Sequence, residues 1–420
     1  MLPANTQGPN GDDPALIEPR ALRAPSAAEA YRICLNPEPT APPGSGLRVA
    51  VLHNLASCSP QDPAGLPPDA LDELDNDRNV AAYVAALRSA GHIVYDVEGN
   101  ANLARVLAEN PVDLCFNTCE GFIGDSREAQ VPALLEMLGV PYSGGKVMCM
   151  ANTLDKAETK RILQAWGLPT LPFQEFFHPE QELDPRLRFP LFVKPNREGT
   201  GIGIAGDSRV QTEAELRQRV AYILDNYRET ALVEEYIAGR DITVALIGNL
   251  DAGALGRPVP SLRGLPETPG GGVDWNGVHI FPLSEVDYSA YPRGTERFYS
   301  HKLKVELADD YTYFCPAPLS LAIAAEVRRL AVETFRVTQS LDFARVDFRL
   351  RADENLQPYI LEINALPGVT PTSDMTLAAW AEGWSYAGMI NGVLDAAILR
   401  YVLKRAAGQS EWSKWSEWSK

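Results

Sequence analysis

The chain has 420 residues, 45% hydrophobic and 22% charged, enough for about two to four domains with true cores. Its formal charge of −17 excludes non-specific binding to nucleic acid, whose phosphate backbone needs a basic surface. No run reaches the roughly 18 apolar residues that span a bilayer, and the N-terminus has no signal-peptide pattern. A cytoplasmic protein without nucleic-acid or membrane partners is therefore expected, and in that compartment the six cysteines (Cys34, Cys58, Cys115, Cys119, Cys149, Cys315), whose spacing builds no zinc site, are expected to be reduced.

Residues 1–45 are rich in Pro, Ala and Gly and read as an extension, partly ordered at best. Residues 46–150 read as an N-terminal parallel α/β domain: strand 47–52, helix 77–90 closed by Gly91, strand 92–97, a helix near 101–109, strand 112–117 and helix 127–138. A second unit, 151–240, opens with a helix at 154–166 and continues with strand 190–195. Residues 202–205 read as the hairpin partner of that strand. A helix capped by Thr212, with Glu215 completing a capping box, and a strand at 231–237 close the unit. The third unit, 241–405, has strand 241–247, a long irregular segment 249–310, helix 319–338, two strands and a helix near 384–402. The tail 406–420 is of low complexity.

The two late strands carry the densest chemistry. Alternation at period two puts Arg345 and Asp347 on one face, and likewise Glu362 and Asn364. If the strands pair, one face carries a guanidinium, two carboxylates and an amide carbonyl. Hard divalent cations take such oxygen donors and hold substrate phosphate on their remaining positions. The alternative is an ion-pair network on an edge strand. Gly201-Ile-Gly203-Ile-Ala-Gly206 fits the dinucleotide pattern in letters only, since no helix opens from it. Its glycines, with Lys194 nearby, offer N–H groups to phosphate.

Together these segments resemble ATP-grasp ligases, and D-alanine–D-alanine ligases in particular. The resemblance rests on residues 192–203, 233–241, 313–317, 344–347 and 362–370, in that order, with 141–144 and 154–156 before them. It implies an α+β fold in which two ATP-grasp subdomains sandwich ATP behind the N-terminal domain. It also implies a reaction: ATP phosphorylates a carboxylate, and an amine displaces phosphate to leave an amide. By this match Lys156, Lys194, Glu198, Gly199, Thr200, Gly201 and Lys304 would attend the phosphates, with Glu234, Glu235, Tyr236 and Ile237 at the adenine and Asp241 at the ribose. Asp347, Glu362 and Asn364 would bind two Mg²⁺, with Mn²⁺ as a substitute. Arg345 and the Gly368 N–H would stabilise the acyl group, while Glu120, His301, Val305 and Ser373 are candidate substrate contacts.

Two departures bear on substrate: Thr200 stands where those ligases carry serine, and Val305 where they carry tyrosine. An acid other than D-alanine, joined to an amino acid, is therefore expected. The alternatives are a D-alanine–D-alanine or D-alanine–D-lactate ligase, and a nucleotide-binding module without turnover. Glu73, Asp75 and Asp77 all lie where a carboxylate would anchor the first substrate's amine. Small carboxylates and amines are the expected partners, with a homodimer as a candidate assembly.

Overall fold

The computed structural model describes residues 17, 21–59, 66–259, 271–290, 298 and 312–406. Strand β1 (Ala21–Arg23) and helix α1 (Ala27–Cys34) come first, so the segment read as an extension carries regular structure. Its own composition does not favour this; long-range contact does, because β1 pairs with a strand of the last sheet and Ile17 is buried.

The N-terminal sheet is parallel, in the order β3-β2-β4, from β2 (Arg48–His53), helix α2 (Asp77–Ser89), β3 (Ile93–Glu98), helix α3 (Leu103–Glu109) and β4 (Leu114–Asn117). Asn76 caps α2 by accepting from the N–H groups of Arg78 and Asn79. Gly91 ends the helix at φ +85°, a conformation that suits glycine. Helix α4 (Arg127–Leu138) follows, then α5 (Val147–Leu154), which the pattern reading did not separate, and α6 (Lys156–Ala165). The Asp155 carboxylate caps α6 through the Glu158 N–H at 2.8 Å.

A second sheet, in the order β5-β8-β6-β7, contains β5 (Phe173–Phe176), β6 (Leu191–Pro195), β7 (Arg209–Val210) and β8 (Ala231–Glu235). Helix α7 (Glu213–Asn226) packs on it. Here the hairpin expectation fails. Residues 201–203 form turns, and β6 pairs instead with the two-residue β7, Leu191 opposite Val210. The glycines thus make a free-standing loop rather than a strand. Thr212 accepts from the Glu215 N–H, but the Glu215 carboxylate reaches back to the N–H of Gln211, one residue before the cap.

The largest sheet is built on β9 (Gly239–Gly248). On one side β9 carries β11 (Val278–Ile280), which pairs with β10 (Val273–Trp275), and β12 (Ser284–Val286). These short strands lie inside the stretch read as irregular. Strand β13 (Thr312–Phe314) joins β12 to β1. Helix α8 (Leu321–Val337) buries its apolar face against the strands that follow it, β14 (Phe343–Arg351) and β15 (Gln357–Asn364). Strand β14 pairs with β9 on its other side. Helix α9 (Asp374–Ala381) leads to α10 (Tyr386–Ala406), which packs against α2 and closes one continuous core over the N-terminal sheet. Asn391 donates to the Ala86 carbonyl across that contact at 2.9 Å.

Candidate active site

Strand register brings the late-strand residues together as their alternation requires. Arg345 lies opposite Asn364 and Asp347 opposite Glu362, with a bulge just after Asp347. The Arg345 guanidinium holds the Asp347 carboxylate at 2.9 Å, and the Asn364 amide donates to it at 3.1 Å. Burial raises the Asp347 carboxyl pKa; Arg345 opposes the shift and the neighbouring Glu362 adds to it. Two adjacent carboxylates and an amide carbonyl on a buried face form an oxygen donor set whose charge a cation would relieve.

Facing this pair across a cleft is the second sheet. Lys194 on β6 and Glu234 on β8 line the cleft, with Gly201, Glu235, Tyr236, Ile237 and Asp241. Phe192 meets Phe298 edge to face at 5.1 Å, giving the cleft an apolar wall. Asp241 is fixed by Arg349 at 2.6 Å and by the Tyr288 hydroxyl. The sequence reading missed Lys160, which lies one helical turn beyond Lys156. Lys160 is fully buried, 2.8 Å from one Glu234 oxygen, while Lys194 lies 3.0 Å from the other. Burial pulls both ammonium groups down. Glu234 and Glu362 outweigh it at Lys194, which stays above the ordinary lysine value, whereas Lys160 falls below it. Glu234 is thus a counter-ion to two lysines as well as a wall of the cleft.

A second chamber adjoins the first, and Glu362 lines both. Its walls include Lys156, Gly199, Thr200, Arg345, Asn364 and Gly368. Asn196, just after β6, positions Lys156 by accepting the Lys156 N–H on its carbonyl at 3.1 Å and the Ala157 N–H on its side chain at 2.9 Å. The lysine ammonium donates to the Glu198 carbonyl at 2.6 Å and lies 3.6 Å from Glu362. Thr200 holds φ +53°, which costs a β-branched residue about 1–3 kcal/mol, and strain of this kind gathers at functional loops.

The far wall of the chamber comes from the segments around the N-terminal sheet. Glu73, Glu120 and Glu128 line it. Of the three acidic residues left open by the sequence, Asp75 is buried against Asn79, Tyr83 and Thr118, and Asp77 sits in the first turn of α2. Only Glu73 of the three faces the chamber, bonded to Arg127 at 2.5 Å and accepting the Gly199 N–H at 3.2 Å. Arg127, also missed in the sequence, bridges to Glu198 at 3.1 Å. Burial lifts Glu120 well above the ordinary carboxyl value, and the negative charges of Glu128 and Glu73 add to the lift.

Ser373 does not line either chamber. It caps α9 through the Thr376 N–H, and its neighbour Asp374 lies 3.7 Å from Arg345. His301, Lys304 and Val305 lie outside the described residues.

The fold and the paired chambers have the arrangement that the motif resemblance implies for an ATP-grasp ligase. A family model described as D-ala D-ala ligase C-terminus matches residues 162–260 and 277–395. The chain is similar to the D-alanine–D-alanine ligase of Bordetella petrii, 32% identical, over 74% of this chain and 84% of that one. It is also similar to a Sinorhizobium fredii protein named only "Uncharacterized protein y4sG", 34% identical, over 84% of this chain and 98% of that one. In fold it resembles the Bacillus anthracis D-alanine–D-alanine ligase complexed with ATP, at TM-score 0.56 and 20% identity, over 84% of this chain and 98% of that one. The chain belongs to the D-alanine–D-alanine ligase family. It is an ATP-dependent, ADP-forming carboxylate–amine ligase acting on small molecules. Among the described residues no helix is long and apolar enough to cross a membrane.

Proposed function

We propose that the enzyme joins a small carboxylic acid other than D-alanine to an amino acid, through an acyl phosphate, in the cytoplasm. The observation that carries this reading is the second chamber: the cations Lys156 and Arg345 with Glu362 and Asn364 of the donor set on one wall, and the carboxyl groups of Glu73, Glu120 and Glu128 on the other. The division expected from sequence supports it, with residues 46–150 supplying the carboxylate wall and 151–240 and 241–405 the two faces of the nucleotide cleft.

In this reading Lys194 and Lys156 hold the phosphates of ATP, the loop 198–201 covers them, and Asp241 takes the ribose. Asp347, Glu362 and Asn364 would hold two Mg²⁺, which when bound neutralise phosphate charge and draw the phosphates into line. A carboxylate oxygen of the acid attacks the γ-phosphorus, and the bond to the ADP oxygen breaks. The amine nitrogen then attacks the carbonyl carbon. The oxyanion that forms is met by Arg345 and the Gly368 N–H, and phosphate leaves as the nitrogen loses a proton. No side chain becomes covalently bound, so catalysis is positioning and charge neutralisation. Glu73 is the candidate anchor for a substrate ammonium group, with Glu120 beside it.

The departures at Thr200 and Val305 support a different acid, because a valine side chain offers no hydrogen bond where a tyrosine would orient D-alanine. The test is phosphate release and amide formation over a panel of acids and amines with ATP and Mg²⁺. Amine-dependent release with at least one pair, and little D-alanyl-D-alanine, is the expected result. Efficient D-alanyl-D-alanine synthesis overturns the substrate reading.

A further inference from the structure

The glycine loop is tied to the N-terminal domain at its outer end. The Gly203 N–H donates to Asp69 Oδ2 at 2.8 Å, and the Tyr227 hydroxyl donates to Asp69 Oδ1 at 2.9 Å. Arg219 donates to the Gly203 carbonyl. Gly203 itself is at φ +69°, and a Cβ there would stand 2.4 Å from Pro195 Cγ, so no other residue fits this clamp. Asp69 belongs to the segment between β2 and α2, and its carboxylate's partners, Gly203 and Tyr227, are remote from it in sequence. A few residues back along the loop, Glu73 of the same segment accepts the Gly199 N–H. The two carboxylates grip the loop at both ends. Between them Thr200 and Gly201 remain as walls of the two chambers, while Gly203 lines neither.

We propose that Asp69 is a positioning residue for ligation: it pins the outer end of the glycine loop to the N-terminal domain and holds the loop over the acyl phosphate, away from water. This rests on the acyl-phosphate reading above. In ligation the amine nitrogen bonds to the carbonyl carbon as the carbon–oxygen bond to phosphate breaks. If water enters, its oxygen makes that bond instead, a proton is lost to solvent, and the free acid and phosphate return with ATP spent. A loop held at one end only would admit water more often.

The experiment uses the full chain with Asp69→Ala, Asp69→Asn and Tyr227→Phe. Hydrogen exchange of the backbone amides of residues 199–204 is followed without nucleotide and with the ATP analogue AMP-PNP plus Mg²⁺. In parallel, phosphate released per amide formed is measured with the acid–amine pair found in the panel. Asp69→Ala is expected to speed exchange about tenfold, the scale of losing a hydrogen bond to a charged acceptor, with β6 and β8 unaffected. Phosphate released per amide should rise, with Tyr227→Phe showing a smaller change in the same direction. Asp69→Asn, which can still accept the Gly203 N–H but carries no charge, should fall between wild type and Asp69→Ala. Unchanged exchange in Asp69→Ala and Tyr227→Phe overturns the pin. Faster exchange at a wild-type phosphate-to-amide ratio overturns its role in excluding water. Should Asp69→Ala fail to fold, Tyr227→Phe, which removes one hydroxyl, decides by the same two readouts. If the wild type makes no amide with any pair, the reaction reading fails instead, and the exchange data still judge the pin.

Discussion

Replacing Glu234 by glutamine removes the one carboxylate that sits between two buried lysines. Its oxygens lie 2.8 Å from Lys160 and 3.0 Å from Lys194, and all three side chains are at most 6% exposed. At an effective dielectric constant of about 20, each such contact is worth about 5–6 kcal/mol of gross Coulomb energy. Much of that offsets the desolvation of the three charges. Removing one partner of a buried pair nonetheless leaves the others uncompensated, at a typical cost of about 3–5 kcal/mol. Glu234→Gln should therefore lose about that much stability in denaturant unfolding, a large share of the about 5–15 kcal/mol typical of a domain. Without Glu234, burial acts on Lys194 with less opposition, so its pKa falls below that of the wild type. Affinity for AMP-PNP should then weaken as the pH is raised, more steeply than in the wild type. Adding Lys160→Met should restore part of the lost stability, because it removes one of the stranded charges. A loss below about 1 kcal/mol, with no rescue by Lys160→Met, refutes the buried-triad reasoning.

Glu362→Gln or Asn364→Ala should abolish amide formation while circular dichroism and thermal midpoint stay near wild type, since each removes an oxygen from the donor set; wild-type activity at limiting Mg²⁺ contradicts the metal assignment. Burial lifts the Glu128 carboxyl to about 7, against Arg127 and with Glu73, from an ordinary value of 4.5. The folded chain then binds that proton more tightly than the unfolded chain. The carboxyl therefore costs nothing below the ordinary value, and its cost grows as the pH rises and is complete above about 7, of the order of 1–3 kcal/mol. Relative to wild type, Glu128→Gln should raise the thermal midpoint at pH 8 and leave it unchanged near pH 4.5; a difference constant across that range speaks against it.

Much of the local structure was legible in the chain. The alternation over 344–348 and 361–364 put four functional side chains on one face, and the β14–β15 register keeps them there. The cap at Thr212 and the glycine at 91, with its positive φ, delimit helices where the sequence reads them, because capping and left-handed turns depend only on near neighbours. The ordered ATP-grasp motifs carried the reaction class, since each is a short contiguous stretch.

Tertiary structure decided what depends on distant partners. Strands β10 to β12 are three residues each, too short for a periodic signal, and are held by their pairing within the sheet built on β9. The glycine loop is no hairpin strand, because β6 finds its partner at Arg209 and Val210. Glu73, Asp75 and Asp77 are alike as residue types; packing alone turns Glu73 to the chamber and Asp75 toward Tyr83. Lys160 reads as a helix lysine until β8 brings Glu234 against it. Periodicity records which face of an element is apolar, but not which element will cover it. The carboxylate wall and the buried lysines follow from that second choice, which is made only when the sheets close on one another.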